Sequence, residues 1–132
     1  MPYEFYLSPM SLEKVTVAEF RGRFLAIDAM KPAPSGLDNE VCDAFAPFSI
    51  FEDQAEPSGC VAVSSVPYAR FEDGYFTHRL KHLILVAMMT DSILSDGGGV
   101  IDPSDEGSMM DTFDRYAEAS KKACEIFGVS GG

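Results

Sequence analysis

The chain has 132 residues, the size of one ordinary domain with room for a true hydrophobic core. Its 21 acidic residues against 10 basic ones leave a formal charge of −11, a field that repels phosphate backbones and anionic lipid and so disfavours nucleic-acid and membrane partners. A hydrophobic share of 46%, with ten Phe and five Tyr, excludes disorder along most of the length.

Taken in chain order, "PYEFYL" alternates Tyr3, Phe5 and Leu7 against Glu4 and Tyr6, the period of a half-buried strand that Pro9 ends. Thr16 stands three residues before Glu19, the spacing of a capping box, so a short helix opens after Thr16 and Gly22 interrupts it. Arg23 to Met30 reads as a strand or as a continuation of that helix, and the apolar run after a glycine favours the strand. "KPAPSG" (Lys31 to Gly36) reads as a loop, because two prolines and a glycine fix the backbone and remove donors. "LDNEVCDAF" suggests a helical turn or two. "PFSIFED" and "GCVAVSSV" then form a hairpin across "QAEPS".

From about Asp73 to Leu94 the spacing of Phe76, Leu80, Leu83, Ile84, Ala87, Met88 and Leu94 predicts a central helix. Its middle is apolar nearly all round, which calls for cover on most sides. Val100 to Asp102 reads as a short strand. Ser108 and Asp111 repeat the capping-box spacing and open a last helix, with Phe113, Tyr116, Ala117, Ser120, Cys124 and Phe127 on one face and Gly128 as its cap. The expected fold is α+β: a small, mostly antiparallel sheet packed against a long central helix and a C-terminal amphipathic helix. It forms one domain over residues 1–128, with 129–132 fraying.

Cys42, Cys60 and Cys124 are odd in number and form no CxxC pair, as expected of free thiols in a reducing compartment. The N-terminal stretch lacks the basic start and apolar core of a signal peptide. "LILVAMM" (Leu83 to Met89) is too short to span a bilayer. A cytoplasmic protein is expected.

"SDGGGVIDPSDEG" (Ser95 to Gly107) is the most motif-like stretch. A phosphate loop needs a lysine and a following helix, and here the glycines leave a helix, enter a strand and are surrounded by Asp96, Asp102, Asp105 and Glu106. Asp102, Ser104, Glu106 and Gly107 fit positions one, three, five and six of a calcium loop, but position twelve is Phe113 where a bidentate carboxylate is required. The glycines read as punctuation: a helix cap and a sharp turn.

His78 and His82, four apart on the central helix, share a face and are the weak metal candidates. Arg79 stands where the zincin motif needs Glu, and no third ligand is evident, so no metal and no cofactor are expected. The cysteines sit in apolar settings without a local histidine, and no nucleophile elbow is present. Glu52, Asp53 and Glu56 leave one strand, and Asp102, Asp105 and Glu106 follow another. If those strand ends lie on one side, they make a carboxylate patch suited to a partner with a basic surface. The competing reading is a set of solvated turns, which favour Asp and Glu in any case.

The layout of "SILSDGGGVIDP", an apolar helix ending in glycines and a short strand reaching Asp-Pro, followed by an amphipathic helix, resembles the small acidic immunity proteins of bacterial polymorphic and contact-dependent toxin systems. The resemblance covers about the last half of the chain and is one of role, so no functional residue is carried over. It implies a non-enzymatic cytoplasmic inhibitor that binds one cognate toxin acting in the cytoplasm. The alternatives are a small enzyme or ligand-binding domain with a pocket beside the central helix, using His78 and His82, and an acidic nucleic-acid mimic. The oligomeric state is left open.

Overall fold

Tyr3–Pro9 forms strand β1, with Phe5 and Leu7 turned to one face and buried, as the alternation of the sequence dictates. The computed structural model describes residues 3–11, 13–34, 39–44, 46–66, 75–96, 99–102 and 104–127, without the side chains of 3, 75, 76, 113, 119, 120 and 123–127. After β1 come α1 (Val17–Leu25), β2 (Lys31–Pro32), β3 (Glu40–Cys42), β4 (Pro47–Glu52) and β5 (Cys60–Val66). Then follow α2 (Tyr75–Met89), β6 (Ser92–Asp96), β7 (Gly99–Val100) and α3 (Glu106–Phe127).

The strands make one antiparallel sheet in the order β2-β3-β4-β5-β1-β6-β7. β1 lies inside it because β5 pairs along one edge and β6 along the other. Register places Ile50, Ala62, Leu7 and Leu94 in one apolar rung across four strands. All four are buried, and a one-residue slip of any strand would turn its apolar set to solvent. The fold is α+β, with a sheet packed against helices.

Helix α1 starts where the sequence places it: Thr16 Oγ1 accepts a hydrogen bond from the Glu19 amide at 3.1 Å. Phe20 and Phe24, one turn apart, are fully buried and meet edge to face at 5.1 Å, and Phe24 reaches Phe48 of β4 at 5.3 Å. α2 lays Leu80, Leu83, Val86 and Ala87 into the same core, and α3 contributes Tyr116. The opposite face of the sheet carries Tyr6, Ser49, Phe51, Val63, Ile93 and Ser95 in the complementary register.

Several sequence expectations are corrected. Residues 23–25 continue α1 in place of starting a strand, since Gly22 is accommodated inside the helix and the Phe20–Phe24 pair anchors both of its sides. Glu40–Cys42 is a strand and not a helical turn, because Val41 pairs with Phe48 on the buried face. Lys31 and Pro32 form a two-residue edge strand, a position where a proline's missing N–H does no harm. α2 ends at Met89, and Leu94 belongs to β6: Thr90 bonds back to the Val86 carbonyl, and Asp91 adopts a left-handed φ of 50° that turns the chain into the strand. The glycine run therefore follows a strand, and Gly99, at φ 150°, opens β7 of a hairpin. The strand expected over 100–102 is confined to Gly99–Val100. α3 opens at Glu106, two residues ahead of Ser108, because Asp105 Oδ1 accepts from the Gly107 amide at 2.9 Å while Ser108 bonds Asp102 and Val100 instead. The end of the expected loop at Gly36, the expected cap Gly128 and the tail 129–132 lie outside the described residues, as do the side chains of Phe113, Ser120, Cys124 and Phe127.

Candidate functional site

The last two turns of α2 leave apolar side chains on the solvent side. Leu85, Met88 and Met89 are 58%, 65% and 62% exposed, although the sequence led us to expect cover on most sides of this helix. Beside them runs a groove of about 360 Å³, walled on one side by Ile84, Ala87 and Met88 and on the other by Ile93, Leu94, Val100 and Ile101. Met10, after β1, Ser92 and Asp102 complete its lining. The geometry follows from the sheet: β6 and β7 form a hairpin, Ile101 N bonds the Leu94 carbonyl at 2.8 Å, and α2 descends directly into β6. Four of the eight large apolar side chains exposed among the described residues are methionines, namely Met10, Met88, Met89 and Met110. Unbranched, polarizable thioethers refit to differently shaped partners better than branched aliphatics do.

The acids expected to act together fall into two groups. β4 and β7 run the same way, so Glu52, Asp53 and Glu56 emerge at the same end of the sheet as Asp102, Asp105 and Glu106. Strands β5, β1 and β6 lie between them, four strand spacings or roughly 19 Å. They do not make one contiguous patch. Asp53 Oδ1 accepts from the Ala55 amide at 3.0 Å, and Asp105 caps α3, so both serve local turns. Glu52 borders a second recess, of about 350 Å³, with Lys14, Val15, Thr16, Val17, Gln54 and Gly59. Asp102 accepts from both the Ser104 amide at 2.9 Å and the Ser104 hydroxyl at 2.7 Å, and these bonds hold its carboxyl below the ordinary carboxylate range. It is therefore anionic at neutral pH. Asp105 and Glu106 follow it in the chain and Asp91 precedes β6, and all three are exposed.

The two histidines diverge. His78 is exposed, whereas His82 is drawn into a buried polar chain. Arg79, 2% exposed, donates from Nη2 to Ser64 Oγ of β5 and from Nη1 to His82 Nδ1, and its guanidinium lies 5.2 Å from the Phe48 ring centroid. His82 Nε2 in turn faces the Asp43 carboxylate. A nitrogen that accepts from a guanidinium carries no proton, so the imidazole is neutral with its hydrogen on Nε2. Burial first, and the Arg79 charge second, push the His82 pKa below its ordinary value, against an opposing pull from Asp43. With both ring nitrogens engaged by protein, His82 offers no lone pair to a metal. Among the described residues no group of three or more His, Cys, Asp or Glu side chains is placed to hold a metal ion. Neither histidine lines the groove. Cys60 is buried and its thiol is pushed up by desolvation, the setting of an inert core cysteine.

No protein-family model matches the chain, and no curated protein or solved structure matches it. Among the described residues no helix is long and apolar enough to cross a membrane.

Sequence reasoning raised a pocket beside the central helix but gave it to His78 and His82, and it missed both the apolar lining of this groove and the Arg79 chain. A helix apolar on all sides reads as buried on all sides, so the pattern gives no sign of which side α2 leaves open. Arg79 falls one residue before Leu80 and four before Leu83, on the inward arc of α2, where a cation must find buried partners.

Proposed function

We propose that the chain is a non-enzymatic protein-binding module, most specifically an immunity-type inhibitor that binds and neutralises one cognate toxin acting in the cytoplasm. The observation that carries the reading is the apolar groove with Met10, Met88 and the exposed Asp102 in its lining, Asp102 being close in the chain to exposed Asp105 and Glu106. An apolar patch rimmed by charge is the common form of a protein-binding surface. The charge of −11 speeds the approach of a basic partner and rejects acidic ones. The immunity role rests on small size, acidity and the lack of a catalytic motif. The helix-to-glycine layout adds nothing to it, since Ser92–Asp96 is a strand.

The test uses tagged wild-type protein, Met88→Glu and the double variant Asp102→Lys/Asp105→Lys as baits in the native lysate at low and moderate salt. The reading expects one basic protein, near-stoichiometric with wild type, lost from both variants and eluted by salt. Expressed alone, that protein should arrest growth, and co-expression of the wild-type chain should restore it. Equal retention by all three baits, or a partner without effect on growth, contradicts the binding surface or the immunity role respectively.

A further inference from the structure

Resting on the protein-binding reading, we infer that the occupant of the groove is an amphipathic helix of the partner, its apolar stripe flanked by Lys or Arg. The volume of about 360 Å³ is more than twice the ~150 Å³ that accommodates a benzene ring in a protein core, so it takes two or three aliphatic side chains. Its walls are a helix stripe, Ile84, Ala87 and Met88, and a hairpin, Ile93 to Ile101. That channel suits a rod presenting side chains at i, i+3 or i+4, and i+7.

An added strand finds little to pair with there. β7 is two residues long, the Val100 carbonyl already accepts from Ser108 Oγ, and the Asp102 amide donates to the same hydroxyl. Strand addition draws its affinity from a row of open backbone groups, which this edge lacks.

Charge decides the flank of the incoming helix. Asp91, Asp102, Asp105 and Glu106 gather at the end where α2 gives way to β6, while the exposed His78 and Lys81 of α2 stand in its earlier turns. Basic residues of the occupant therefore lie over the Asp91 and Asp102 end. A second copy of this chain would bring the same carboxylates face to face, which disfavours self-association through the groove.

The probe is a synthetic 14-residue peptide of Leu and Lys with leucines at helical spacing. One control has Glu in place of Lys, and another has the same Leu and Lys composition in strict alternation. Binding is read by fluorescence anisotropy, and location by ¹³C-methyl spectra of the methionines. The helical Leu/Lys peptide should bind, move the Met10 and Met88 methyl signals and leave that of buried Met30 in place. Met88→Glu should weaken it at least tenfold, and Asp102→Lys/Asp105→Lys several-fold, with the wild-type circular dichroism kept by each variant. Equal binding of the alternating peptide, binding of the Glu peptide, or methyl shifts that bypass Met10 and Met88 overturns the inference. If the peptide fails while capture of the native partner still depends on Met88, the helical occupant is wrong and the protein-binding reading stands. If the peptide binds in the groove while the captured partner ignores Met88→Glu, it is the functional reading that falls.

Discussion

His82 Nε2 faces the Asp43 carboxylate across 39 residues of chain, joining α2 to the turn after β3. Asp43 also accepts from the Ala46 amide at 3.1 Å, so one carboxylate organises the β3–β4 turn and seats the helix. Because burial disfavours its charged form and Arg79 faces the other ring nitrogen, the folded state favours the neutral imidazole and holds the His82 pKa below its ordinary 6.5. The sign of the pH effect follows. Above about pH 6.5 both folded and unfolded states carry neutral His82, and the full stability is present. As the pH falls below that value the unfolded chain takes the proton first, so stability declines until the folded pKa is passed. Urea unfolding between pH 7.5 and 5 should show this decline, and His82→Gln should flatten it. A slope unaffected by His82→Gln would refute the neutral, buried imidazole.

Arg79→Leu is expected to destabilise by about 3 kcal/mol, the scale for breaking a buried charged network by removing one member. Its loss strips donors from Ser64 and His82 and leaves Asp43 with a weaker counter-field. A stability within about 0.5 kcal/mol of wild type, the usual scatter of surface changes, would show that the guanidinium is not part of the core.

The two sides of α2 should respond differently. Leu83→Ala, at a fully buried site, should cost about 3 kcal/mol. Leu85→Gln and Met88→Gln should change stability by no more than about 0.5 kcal/mol, since both side chains already meet water. Thermal melts of the three variants check this, and a large loss at Leu85 or Met88 would mean that this side of α2 is covered.

Helix starts offer a local check. Thr16→Ala and Asp105→Ala should each cost about 1 kcal/mol, the worth of an N-cap side chain. If Asp105→Ala proves neutral in urea unfolding, α3 does not begin where the Asp105–Gly107 bond places it.

Local signals explain what is legible in the sequence. The alternation of Tyr3 to Leu7, the β4–β5 hairpin and the Thr16 cap depend on neighbours a few residues apart, and the structure has them as read. Arg23 to Leu25 misleads because Gly22 looks like a stop. An internal glycine costs a helix only about 1 kcal/mol, less than the burial of Phe20 and Phe24 returns. Ser92 to Leu94 misleads because the α2 stop lacks glycine and proline. It is made instead by Thr90 bonding back to Val86, by Arg23 donating to the Thr90 carbonyl at 3.1 Å and by Asp91 turning left-handed. The Arg23 bond spans the fold and leaves no trace in a local window. The same limit hides the candidate site. Two acid groups at one end of the sheet are foreseeable, but the roughly 19 Å between them depends on β1 and β6 entering between β5 and β7, a matter of topology. Apolar residues all round α2 spell burial, whereas the tertiary structure leaves Leu85, Met88 and Met89 open.

Amide hydrogen exchange of the chain, alone and with its captured partner, tests the central claim most directly. The account expects new protection over Ile84–Met89 and Ser92–Asp102, the two walls of the groove, with β3 and β4 unchanged. Protection confined to the strands bearing Ser49, Phe51 and Val63 would place the partner on the other face of the sheet and contradict it.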